Sequence, residues 1–177
     1  MKSVCTWREK DGTTVGPLNC DAEISAVGID DKVFFTVRVD LGDISTPILR
    51  SVDVDSASAL AEYLQHPNKY DCPMDDIEEP TLSEDEIMTY GWFGGVLHLI
   101  IRDSVNDKMD YIIVHLRMTK NDARKLAHAI NESISFLEDH GGCLADATEI
   151  TKDDIRKYPK MMKQILDFYP IMERLER

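Results

Sequence analysis

Two stretches of this chain, 23–66 and 86–140, each place β-patterned runs ahead of an amphipathic helix, and that order limits the fold more than any other feature. In the first, "EISAVGI" and "VFFTVRVD" flank the acidic turn "DDK", the signature of an antiparallel hairpin. Val33, Phe35, Val37 and Val39 alternate with Phe34, Thr36, Arg38 and Asp40, the period of a half-buried strand. "LGDISTP" then turns the chain into a further strand, "ILRSVDV". Pro47 has no N–H to give a ladder, so that strand should begin at a sheet edge. "DSASALAEYLQHP" predicts a helix capped by Asp55 or Ser56, stopped before Pro67, and striped by Ala57, Leu60, Ala61 and Leu64.

The second stretch follows the same plan. "YGWFGG" reads as a glycine-bearing loop leading into "VLHLIIRD", and "YIIVHLRM" pairs with that run after "SVNDKMD". A helix follows, with Thr119 as N-cap, Asp122 complementing the exposed N–H groups, and Gly141–Gly142 as the stop. Its buried stripe is Ala123, Leu126, Ala127, Ile130, Ile134 and Leu137. "AxxLAxxL" in the first helix and "AxxLAxxI" in the second lie 66 residues apart, consistent with an internal duplication. Ahead of both stretches come a short strand near Val4–Arg8, a turn at "KDGTT" and a loop through "GPLNC".

The expected architecture is therefore α+β, a mainly antiparallel sheet from two β-β-α-like units with helices packed on one face. Residues 1–147 would form one domain, with an acidic connector at 67–85 between the units. Residues 148–177 read as a helical extension, packed on the domain or on a partner. Within it Thr151 and Asp154 form a cap, Pro159 suits a first helical turn, and Pro170 should break or kink the helix. Met161, Met162, Phe168 and Tyr169 make it too apolar for a solvated helix, and they are candidates for partner contact or self-association, including a homodimer.

The formal net charge of −13 decides among partners. Such a surface repels phosphate backbones, which argues against direct nucleic-acid binding and for a basic protein partner. Asp71–Glu86 concentrates the charge in eight carboxylates, Asp71, Asp75, Asp76, Glu78, Glu79, Glu84, Asp85 and Glu86. The stretch lacks the alternating spacing and central glycine of a calcium loop, and Pro73 and Pro80 prevent a continuous helix. It reads first as a connector and second as a docking element for a basic surface. No run is apolar enough to span a membrane and no secretory signal opens the chain, so the expected location is cytoplasmic. Cys5, Cys20, Cys72 and Cys143 would then be free thiols.

Catalytic signatures are sparse, and neither a cofactor fingerprint nor a phosphate-binding loop is present. "HGGC" at His140–Cys143 is accounted for by the helix stop. A hairpin centred on Asn106–Asp107 would oppose His98 to His115, Ile100 to Ile113 and Arg102 to Tyr111 on one sheet face. That makes His98 and His115 weak metal candidates and their face an alternative small-molecule or enzymatic site, with Trp92 and Phe93 as walls. Arg102 and Arg117 oppose a cation there, and no third ligand is evident. The leading expectation is a non-enzymatic, acidic binding module of inhibitor or immunity type, which occupies the nucleic-acid groove of a nuclease or defence complex.

Overall fold

The computed structural model describes residues 1–41, 45–73, 80–103 and 109–175, and their side chains except those of 45–47, 109 and 168–175. Its strands are β1 (Lys2–Glu9), β2 (Thr14–Ile29), β3 (Lys32–Asp40), β4 (Ser45–Asp53), β5 (Met88–Phe93), β6 (Val96–Asp103) and β7 (Met109–Met118). Its helices are α1 (Val54–Gln65), α2 (Pro67–Tyr70), α3 (Lys120–Asp139), α4 (Lys152–Lys157) and α5 (Pro159–Leu175). The strands form one antiparallel sheet in the order β4-β3-β2-β1-β7-β6-β5. The fold is α+β, as the alternating and helical periods required.

The short N-terminal strand occupies the middle of this sheet. β1 pairs with β2 on one side, Ser3 opposite Cys20, and with β7 on the other, Ser3 opposite Leu116. The "GPLNC" segment is not a loop but the first part of the long β2. A register shift between Cys5 and Trp7 takes up its irregularity, as a bulge does. Gly16 is required there, because its φ is +112° and a Cβ would lie 2.6 Å from the Cys5 carbonyl oxygen.

"YGWFGG" is likewise strand rather than loop. Met88–Phe93 forms the edge strand β5, and only Gly94–Gly95 turns, with φ values of +57° and +79°. Two consecutive positive φ values suit a two-residue hairpin. At the other edge β4 carries Pro47 opposite Arg38, where a missing N–H costs the ladder nothing. The β4–α1 junction places the cap at Asp53, not at Asp55 or Ser56. The Asp53 carboxylate accepts the Ser56 N–H at 2.7 Å. An N-cap residue keeps extended backbone, so Asp53 can end the strand and begin the helix at once.

The core lies between one sheet face and the pair α1 and α3, which pack against each other. Val33, Phe35, Val37, Val39, Leu97, Leu99, Ile101, Ile112, Val114 and Leu116 are buried from the sheet. Ala57, Leu60, Ala61 and Leu64 meet them from α1, with Ala123, Leu126, Ala127 and Ile130 from α3. Burying this apolar area drives the fold at roughly 25 cal/mol per Å². Four small side chains among the eight helical residues let the helices approach closely. Gly28 serves the same need, since a Cβ there would sit 2.8 Å from Leu137 Cγ and from the Ser133 carbonyl oxygen.

Four strands separate β4 from β6 in the sheet, yet the two touch. Arg50 Nε donates to the Arg102 carbonyl at 2.6 Å, and its guanidinium lies 3.4 Å from the Asp103 carboxylate. The Leu49 N–H also donates to Asp103, at 3.3 Å. Arg50 and Asp103 share the phase of the core residues Ile48 and Ile101, so the sheet curls with its core face inward.

A second cluster holds the C-terminal segment. Met161, Met162 and Ile165 of α5 pack with Val27 and Ile29 of β2, Phe136 and Leu137 of α3, Leu144 and Tyr158. The Thr151–Asp154 capping box forms as expected. The helix does not break at Pro170 but runs on to Leu175. Proline there forgoes one backbone bond and keeps a helical φ.

Asp103→Ala should lower the unfolding free energy by about 2–3 kcal/mol, because it leaves Arg50 and the Leu49 N–H without their carboxylate. Urea denaturation checks this, and a loss below about 0.5 kcal/mol would mean that the curl is held elsewhere. Gly28→Val should cost about 1–3 kcal/mol by overpacking against Leu137 and the α3 backbone.

Candidate functional site

The imidazoles of β6 and β7 meet, although through a register displaced by two residues from the expected one. His98 stands opposite Arg117, Ile100 opposite His115 and Arg102 opposite Ile113. A two-residue displacement preserves the faces, so His98 and His115 become diagonal neighbours, with Nδ1 and Nε2 2.8 Å apart. Arg102 likewise reaches Tyr111 diagonally, its guanidinium 5.5 Å from the ring centroid. Phe93 meets His98 edge-on at 5.8 Å. Trp92 is not a wall of this face: it is buried on the core side, where its indole N–H donates to the Tyr63 carbonyl at 3.0 Å.

The 2.8 Å contact is a hydrogen bond, in which one imidazole donates and the other accepts. Two nitrogens sharing a tetrahedral zinc stand about 3.3 Å apart, with the ion between them. Here the two nitrogens point at each other, and no group of three His, Cys, Asp or Glu among the described residues could complete a metal site. The arrangement ties β6 to β7 beneath Phe93.

Part of the acidic stretch is structural. Asp71 accepts the Gly95 N–H with both carboxylate oxygens at 3.1 Å, which holds the β5–β6 turn. Cys72 bridges Phe93, and the Arg102 guanidinium donates to the Glu84 carbonyl. Glu84, Asp85 and Glu86 are exposed. Asp75, Asp76, Glu78 and Glu79 lie outside the described residues, as do the side chains of Phe168 and Tyr169. Met161 and Met162 are buried in the chain's own core.

Two groups escaped the sequence reading. The first is a clip between α3 and α4. Asp154 Oδ2 accepts from Thr151 N at 2.8 Å, Thr151 Oγ1 at 3.0 Å and His140 Nε2 at 2.9 Å. It borders an open cleft of about 590 Å³ with Asp139, Asp153, Arg156 and Lys157. Burial alone would raise the Asp154 pKa, but the donors from Thr151 and His140 together hold it below the ordinary carboxylate value. Asp139 beside it accepts from Lys157 and Tyr158, whose hydrogen bonds lower its pKa also.

The second group is an acidic pole. Asp30 and Asp31 at the β2–β3 turn, Asp53 and Asp55 at the start of α1, and Asp146 and Glu149 after α3 are all exposed. The ladder sets Lys32 opposite Asp53, and Asp30 bridges Leu144, so three separate segments converge at one end of the sheet. Cys143 registers their field. Desolvation raises its thiol pKa first, and Asp30, Asp31 and Glu149 raise it further, the reverse of what activates a nucleophile.

The expectation of four free thiols is corrected. Cys5 and Cys20 are joined by a disulfide across β1 and β2, and Cys72 and Cys143 are free. The ladder opposes Ser3 to Cys20, which leaves Cys5 diagonal to it with Cα atoms 6.7 Å apart. A separation of 15 residues carries no motif that would show this in the sequence. No described helix is long and apolar enough to cross a membrane. Comparison with protein-family models, curated proteins and solved structures finds no match.

Asp154→Asn should cost about 1–2 kcal/mol near neutral pH through loss of the charged cap and the His140 pairing. A depressed carboxylate pKa stabilises the folded state above the unfolded-state pKa, and that contribution is lost as pH falls through the folded-state pKa. The gap between wild type and Asp154→Asn should therefore close below about pH 4; a gap that persists unchanged in acid would show that the carboxylate charge is not its source.

Proposed function

We propose that this chain is a non-enzymatic, acidic protein-binding module that occupies a basic, nucleic-acid-binding surface of a partner, in the manner of an inhibitor or immunity protein. The observation that supports this reading is the acidic pole of Asp30, Asp31, Asp53, Asp55, Asp146 and Glu149. Six exposed carboxylates held by strand and helix ends resemble a row of phosphates more than a solvated linker does. Their field would steer a basic groove towards this end, with a rate that falls as salt rises. Glu84, Asp85 and Glu86 add to the negative surface at the β5 edge. The formal net charge of −13 leaves little for a phosphate backbone to bind.

The same reading takes the two halves of the sheet as copies of one β-β-α-like piece, each with three strands ahead of its helix. Its support is the strand order, which runs β4-β3-β2 on one side of β1 and β7-β6-β5 on the other, each meander followed by its own helix. The matching positions of α1 and α3 are also buried in one cluster.

The test is affinity capture of host proteins by the wild-type chain and by a triple variant, Asp30→Lys, Asp31→Lys, Glu149→Lys. The expected partner is a basic protein that loses its bound nucleic acid as the chain is added. Its affinity should drop about tenfold or more between 50 and 200 mM salt and fall at least as far in the variant. A partner held equally well at both salt levels, or by the variant, would overturn the reading.

A further inference from the structure

The Cys5–Cys20 disulfide lies on the core face of the sheet. Ser3, Cys5 and Trp7 share one phase of β1 and are all buried. Cys20 stands opposite Ser3 in the β1–β2 ladder, so its side chain takes the same face, where it packs against the core. Its sulfur is bonded to Cys5 and lies 3.0 Å from the Ser3 hydroxyl. Those two neighbours are 0% and 3% exposed.

The strand that shields this bond is held on both edges. Cys5 stands opposite Leu18 of β2 and opposite Val114 of β7. The end of the chain is tied down as well. The Met1 ammonium donates to the Ala22 carbonyl at 2.8 Å, and the Ala22 N–H donates to the Met1 carbonyl at 3.1 Å. A thiolate that is to reach either sulfur must first part the centre of the sheet from α1 and α3. Such an opening is of the size of global unfolding.

We propose that the disulfide is a redox lock set at folding. The thiol pool in which the chain folds decides whether β1 is stapled to β2, and the folded chain keeps that state when the pool changes. Closure takes place while the sulfurs are still accessible. One cysteine thiolate attacks a small disulfide of the oxidised glutathione class, forming a mixed disulfide and releasing one small thiol. The second cysteine thiolate then displaces the other small thiol, and the Cys5–Cys20 bond forms. Two electrons pass from the cysteine pair to the small disulfide, which leaves as two thiols.

A chain folded among reduced thiols keeps Cys5 and Cys20 as small apolar side chains, and the backbone ladder around them does not depend on their bond. Opening the lock requires the same sulfurs to be exposed again, so neither form converts while the sheet holds. Cys72 and Cys143 lie outside the lock, and Cys143 is exposed to the ambient pool. The stapled state therefore records folding in an oxidising compartment and persists in reducing surroundings.

The test refolds the full chain from urea with reduced glutathione alone or with added oxidised glutathione. Each product is moved to the opposite buffer at about 5 mM glutathione, and bonded and free Cys5 and Cys20 are counted by peptide mapping after acid quench. Both products should fold, and each should keep its state. Conversion should accelerate at least about tenfold on adding about 2 M urea, along the slope of global unfolding. That slope is read from the fluorescence of the buried Trp7 and Trp92. Conversion that is flat in urea would show access through local fraying and overturn the proposal. A chain that folds in only one of the two states would overturn it as well.

Discussion

Among the described residues, the ladder that joins the two halves of the sheet runs through β1. Its eight residues spend one row of N–H and C=O groups on β2 and the other on β7, while Ser3, Cys5 and Trp7 turn into the core. Without that strand the β4-β3-β2 and β7-β6-β5 meanders would each expose an unpaired edge at the centre of the molecule. With it they share one twist, and the twist accumulates until β4 reaches the end of β6. The Arg50–Asp103 contact follows from this accumulation. It closes a curl that the strand order had already imposed.

The curl sorts the remaining surface. Its inner face is filled by α1 and α3, whose alanines let two helices share a space bounded by one sheet. On the opposite face the phase of β6 and β7 sets His98 against His115 and Phe93, and Arg102 against Tyr111. The strand and helix ends remain, and at one of them the turn residues of three segments bring six carboxylates together. Turns and N-caps favour Asp for local reasons, Asp53 as a helix cap and Asp146 as the cap of a short turn. The pole is thus assembled from residues each of which has a small structural task as well.

Much of this was legible residue by residue. The alternation in Val33–Asp40, the Asp30–Asp31 turn, the Thr119 cap, the glycine stop at Gly141–Gly142 and the Thr151–Asp154 box are local signals, and each stands where the chain pattern places it. The faces of β6 and β7 were legible too, because a period of two survives a register displaced by two residues. The register itself was not, since it depends on what β7 pairs with on its other side. "YGWFGG" and "GPLNC" misled through their glycines and proline: Gly91 is buried within a strand and Gly16 serves a close approach, so neither marks a loop.

The sequence by itself determined the class of fold, the helix ends and the sign of the surface, because propensity, capping and net charge act over a few neighbouring residues or over the whole chain. Tertiary structure alone decided which strand is central, which cysteines bond, which imidazoles touch and where the carboxylates gather. These depend on pairings between distant segments, from Cys5 with Cys20 to Ser3 with Leu116 and Asp30 with Leu144. Such pairings are selected by the joint burial of many side chains, and no short motif carries that information.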